Sequence, residues 1–172
     1  EWPISRLESM SIEEYTNLDK TSFCYWLESI TTNLGSIWGG SAYKFGVFRR
    51  DNLEKGDYEK SGRIAKGNYG WYSKYGKDKD AAFSTVKSYI LQIAKSAQEG
   101  DLTKIESVDL GYAYKWKIAF LYGDYNIINL FKHKAIRTCA EYLGYNGKNR
   151  VMCNAVTVID ENSMFFTFCR GK

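Results

Sequence analysis

From Tyr112 to Tyr122 the chain reads Tyr-Ala-Tyr-Lys-Trp-Lys-Ile-Ala-Phe-Leu-Tyr, with large rings at nearly every second place. On an extended chain Tyr112, Tyr114, Trp116, Ile118, Phe120 and Tyr122 share one face. Ala113, Lys115, Lys117, Ala119 and Leu121 share the other. A period of two over eleven residues predicts a central strand. It also sets Lys115 and Lys117 opposite Trp116, on a face that can meet water or phosphate.

Elsewhere the period is helical. Thr21 or Ser22 caps a predicted helix carrying Phe23, Trp26, Leu27, Ile30 and Leu34, which Gly35 ends. Ile37 to Ser41 reads as a turn, and Ala42 to Arg50 as a strand with Tyr43, Phe45 and Val47 on one face. Residues 51–69 are polar and glycine-spaced, and predict a mobile loop or a long hairpin connection. Asp78 or Asp80 opens a helix striped by Phe83, Val86, Ile90, Ile93, Ala94 and Ala97, closed by Gly100. A short helical turn over Leu102 to Glu106 precedes the central strand. A turn at Gly123 to Asn126 follows, then a strand from Ile127 to Phe131 and a helix from Lys132 or His133 to Leu143. A last hairpin is expected between Val151 and Cys169. Strands joined by a short turn pair antiparallel, so the expected class is α+β, with a small, largely antiparallel sheet packed against about three helices. The expected organisation is an upstream remnant at 1–9, one domain at 10–148 and an extension at 149–172.

Composition sharpens this picture in two ways. Of 172 residues 14 are Tyr, and Tyr serves binding faces as well as cores. The net charge of +4 is mild, but its distribution is uneven. Residues 1–34 hold six acids against two bases, whereas 44–79 hold ten bases against five acids, which gathers the basic excess as a polyanion-binding face requires. The four cysteines form no Cys-x-x-Cys pair and His133 is the only histidine, so no zinc site, cofactor or metal is expected. Free thiols, no apolar run of membrane-spanning length and no signal peptide give a cytoplasmic expectation.

Enzyme motifs are missing. Neither a Gly-x-x-x-x-Gly-Lys-Ser/Thr loop nor a Gly-x-Gly-x-x-Gly turn occurs, and His133 lies between two lysines at a helix start. Asp57, Glu59 and Lys60 have the chemistry of a nuclease metal site but not the strand pattern. Binding has positive features. Rings at Trp38, Trp71, Tyr72 and Tyr75 can stack on a base, and Lys44, Arg49, Arg50, Lys74, Lys77, Lys115 and Lys117 can neutralise phosphates. Gly39, Gly40, Gly70 and Gly76 let backbone approach a ligand.

Three stretches carry a family resemblance: Phe23 to Glu28, Leu34 to Val47, and Tyr69 to Gly76. With Tyr114 to Tyr122 they resemble the amino-terminal region of McrB-like restriction proteins, over residues 12–147. The resemblance implies a bacterial, non-catalytic DNA-recognition domain, set ahead of a GTP-dependent motor that recruits a separate nuclease. DNA is the implied partner, methylated or otherwise modified, and the motor and nuclease are partners in the full system. Recognition domains of this family differ in fold and target, so no target base follows. An aromatic protein-interaction module and a small nuclease remain the alternatives.

Overall fold

The longest helix forms where stripe and caps agree. In the computed structural model, which describes residues 1–123 and 127–146, the helices α1 (Ile4–Ser9), α2 (Ile12–Tyr15) and α3 (Phe23–Tyr25) precede a four-stranded sheet. The strands are β1 (Val47–Arg49), β2 (Tyr58–Lys60), β3 (Arg63–Lys66) and β4 (Tyr69–Tyr72). Then come α4 (Lys79–Glu99), α5 (Leu102–Ser107), α6 (Tyr112–Tyr122) and α7 (His133–Tyr142). In α4 the Asp78 carboxylate accepts from Ala81 N at 2.8 Å, and Gly100 ends the helix in the left-handed conformation. Val86, Ile90 and Ile93 on its stripe are fully buried.

The stretch from Tyr112 to Tyr122 organises the core, but as helix α6 rather than the expected strand. Every residue from Tyr114 to Phe120 is buried. A helix buried on all sides has no solvent face to impress a 3.6-residue period, so chance alternation imitated a strand. The change of geometry relocates the lysines. In a strand positions 115 and 117 share a face, whereas on a helix they point about 200° apart. Lys115 caps the end of α5, donating to Glu106 O at 2.7 Å and Val108 O at 3.2 Å. Lys117 reaches the opposite way, to Thr31 O at 2.9 Å and Gly35 O at 2.6 Å.

The expected α+β class is observed, with a sheet that keeps part of one expected strand and is otherwise built from other residues. Its order is β1-β4-β3-β2, antiparallel throughout. Residues 51–69, expected as a loop or long connection, supply β2 and β3 and the first residue of β4. Two-residue turns make this possible: Ser61-Gly62, both at positive φ, joins β2 to β3, and Gly67-Asn68 joins β3 to β4. Ala42–Phe45 is a 3-10 turn, which shortens the strand expected there to β1. Ile127 to Phe131, expected as a strand, runs without strand pairing, although Ile127, Ile128 and Phe131 are buried. The helix expected from Ser22 begins as α3, continues as a π-helical turn over Trp26–Ile30 and ends in a 3-10 turn before Gly35.

Trp71, Val47 and Tyr69 face inward, while Phe48, Tyr72 and Arg63 belong to the outer side by register. Residues 1–9 contribute to the same core: Leu7 is buried, and Tyr122 Oη donates to Trp2 O at 2.5 Å. Among the described residues no helix is long and apolar enough to cross a membrane. The turn at Asp124 to Asn126 and the hairpin expected between Val151 and Cys169 lie outside the described residues.

Candidate functional site

The outer side of the sheet carries an open cleft of about 470 Å³. The 3-10 turn Ala42–Phe45 gives it Tyr43 and Lys44, the β2–β3 turn gives Ser61 and Gly62, and the end of β4 with the turn after it gives Tyr72 to Tyr75. Each wall is fixed by backbone pairing. Ser73 N donates to Gly62 O at 2.8 Å and ties the hairpin tip to the 3-10 turn Ser73–Tyr75. Tyr72 N donates to Gly46 O at 3.1 Å and ties the two aromatic walls together.

Tyr43 is the brace of this site. Its hydroxyl donates to Ile64 O at 2.9 Å, so the Tyr58 hydroxyl, 3.0 Å away, must be the donor in their contact. Burial first, and then the Tyr58 hydroxyl, push the Tyr43 phenol well above its usual range. Its ring packs edge-on against Phe48 and tilted against Tyr72, at 4.9 and 5.0 Å between centroids. The Arg63 guanidinium lies over both Tyr43 and Tyr72, at 5.3 and 5.8 Å. Among the described residues Arg63 has no carboxylate partner, so its charge is uncompensated beside two aromatic faces.

The sequence-predicted residues separate here. Tyr72, Tyr75, Lys44 and Lys74 meet around the cleft. Lys74 is exposed and held by Asp109 at 2.8 and 2.9 Å; burial works against its ammonium, but that contact keeps its pKa raised. Tyr75 lines the cleft with its ring largely buried and its hydroxyl donating to Asp109 O at 2.9 Å. Lys77 is exposed two residues beyond. Arg49 lies at the end of β1 with its guanidinium 5.2 Å from the Tyr69 ring centre.

Four expectations need correction. Lys115 and Lys117, placed by the strand reading on a phosphate-facing surface, are buried and donate to carbonyl oxygens of the core. Burial pulls the Lys117 ammonium down to about 8, against the opposing pull of Glu28. Arg50 is buried too, and its guanidinium clamps the segment before β2 by donating to Gly67 O at 2.7 Å, Gly56 O at 2.5 Å and Asp57 Oδ1 at 3.2 Å. Trp71 is a core ring on the inward side of β4, with Nε1 donating to Gly76 O at 3.1 Å. None of these four can offer its group to a ligand without opening the fold.

Trp38 is the reverse case, 82% exposed in the loop ahead of the 3-10 turn. Asp57, weighed above as a nuclease carboxylate, pairs with Arg50 and accepts from Gly67 N at 2.8 Å. Among the described residues no cluster of three His, Cys, Asp or Glu could hold a metal ion. Two contributors, Arg63 and Tyr43, were missed as site residues. The Ser-Gly and Gly-Asn pairs, spaced six residues apart, were the signal that a meander runs through 58–72 and carries Arg63 onto a sheet. Compared with family models, curated proteins and solved structures, the chain matches none of them.

Proposed function

We propose that this chain is a non-catalytic DNA-binding domain, of the kind that precedes the motor of McrB-like restriction proteins. The observation that carries the reading is the meeting of Tyr43, Tyr72, Tyr75 and Lys74 around one open cleft, with the Arg63 guanidinium over the Tyr43 and Tyr72 rings. Aromatic faces interleaved with cations are what a nucleic acid chain asks for: rings for bases, charges for phosphates. Arg63 does both at once, since it stacks on rings while its fork stays available to a phosphate. The resemblance of Leu34 to Val47 and Tyr69 to Gly76 to the McrB-like amino-terminal region points the same way, because these two stretches form two walls of the cleft. In the full system the motor and nuclease are the protein partners.

The test is fluorescence anisotropy with labelled DNA duplexes that are unmodified, cytosine-methylated, hydroxymethylated or adenine-methylated, over a salt series. Binding whose logarithm falls linearly with the logarithm of salt, and which Arg63→Ala weakens on every probe, is the expected result. Affinity that is absent on all probes, or that does not change with salt, overturns the reading.

A further inference from the structure

The sequence pattern makes Lys44 a candidate phosphate contact, but its surroundings give it another task. Its ammonium donates to Ile37 O at 3.0 Å and Gly39 O at 2.9 Å, the two carbonyls that flank Trp38. It also pairs with the Glu28 carboxylate on the π-helical turn. All three of its donor hydrogens are thus accounted for within the chain. The other end of the loop is held as well, since Trp38 N donates to Ser36 Oγ at 3.1 Å.

This anchoring explains why an indole stands 82% exposed. Folding a Trp ring onto the core is ordinarily favourable in proportion to the apolar area removed from water. Here the backbone on both sides of the ring is tied down, and Ile37 beside it already fills the core. Gly39 and Gly40 have φ of 98° and 76°, and a Cβ on either would meet nothing within 4 Å. Their glycines therefore serve conformation rather than space: they let the chain turn back after Trp38. The loop is a short, braced presenter of one flat ring, and the lysine that braces it also lines the cleft.

We infer that Trp38 is a stacking residue for an unpaired base of the bound DNA, and that Lys44, with Glu28 behind it, is its positioning residue rather than a phosphate contact. The inference rests on the DNA-binding reading above. It gives the ligand a specific form, a base with an open face, and gives the ion pair a reason to sit where a phosphate contact was expected. An ordered ring loses less freedom on binding than a loose one, so the brace contributes affinity without touching the ligand.

The experiment uses two labelled duplexes, one fully paired and one with a single mismatched base. Trp38→Ala should weaken binding of the mismatched duplex between about fivefold and a hundredfold, the range of one lost stacking contact. Lys44→Met should weaken it comparably, with the slope against salt unchanged, and the double variant should be no weaker than the weaker single. Glu28→Gln should also weaken binding, because it loosens the brace. A phosphate-contacting Lys44 gives the opposite pattern: Lys44→Met makes the slope shallower by about one, its loss adds to that of Trp38→Ala, and Glu28→Gln strengthens binding by removing a carboxylate. That pattern, or a Trp38→Ala variant that binds like the parent, overturns the inference while leaving DNA binding intact. If the parent binds neither duplex, the DNA-binding reading falls with it. Should Lys44→Met fail to fold, Glu28→Gln alone decides the sign.

Discussion

The hydroxyl groups of Tyr15 and Tyr114 meet 2.8 Å apart in the core, although 99 positions separate them in the chain. Tyr15 donates its own proton to Phe45 O at 2.5 Å, so Tyr114 is the donor between them. This relay joins α2, α6 and the 3-10 turn that carries Tyr43 and Lys44. It therefore fixes one wall of the cleft to the buried helix.

Removing the relay should cost stability. Tyr15→Phe removes the hydroxyl that donates to the buried Phe45 carbonyl and accepts from Tyr114, at about 1–3 kcal/mol. Urea unfolding should show a lower midpoint with an unchanged slope. A midpoint equal to the parent's would mean that the relay contributes nothing net.

Burial above all raises the pKa of Tyr15 and Tyr114 well above the usual phenol value of 10.0. For an acid whose folded pKa is raised, the stabilisation is complete below the unfolded value and is lost as pH climbs beyond it. Melting temperatures should fall above about pH 10, where the unfolded phenols ionise first. Tyr15→Phe should fall less steeply there than the parent. Parallel curves would remove Tyr15 as a source of the alkaline loss.

Lys117 works in the other direction. Its ammonium is pulled from 10.5 to about 8 by burial, so the unfolded chain binds the extra proton between those values. A depressed base adds stability above the unfolded pKa and loses it as pH falls through the folded one. The stability of the parent relative to Lys117→Met should therefore rise between pH 8 and 10.5, by about 3 kcal/mol at most. Denaturant melts of both proteins at matched pH measure this, and a flat difference would show that the ammonium is not desolvated.

Arg50 should matter to the sheet rather than to binding. Arg50→Ala releases Gly56, Asp57 and Gly67 from one guanidinium. Backbone amides of β2 and β3 should then exchange hydrogen faster, while those of α4 keep their protection. Equal protection in both proteins would remove the clamp from the account of why residues 51–69 fold.

Gly76 should tolerate no side chain. A Cβ there would stand 2.3 Å from Ala82 N and 2.6 Å from the Ala81 carbonyl carbon, and backbone at the start of α4 cannot swing aside like a side-chain tip. Gly76→Ala should lower stability by about 1–3 kcal/mol or more, as overpacking does. A melting temperature near the parent's would show that the close approach relaxes freely.

Elements whose signals are local are legible from the chain alone. Asp78, Gly100 and the stripe from Val86 to Ala97 specify α4, because caps and an apolar stripe act within a turn or two of the chain. The basic excess of 44–79 and the glycine-spaced aromatic run at 69–76 likewise marked the two stretches that wall the cleft. Tertiary structure decided what local pattern left ambiguous. Whether Tyr112 to Tyr122 is strand or helix depends on what surrounds it, since a segment buried on every side carries no solvent face to set its period. The same surroundings turned Lys115 and Lys117 from surface charges into donors for backbone carbonyls within the fold, and Arg50 likewise reaches the carbonyls of Gly56 and Gly67, as long cationic side chains can find partners well away from their own backbone. The sheet was hidden for a related reason. Strands of three or four residues show almost no period, and β2, β3 and β4 become strands only by pairing with one another across their tight turns. Arg63 could be placed beside Tyr43 and Tyr72 only once that pairing had set the register.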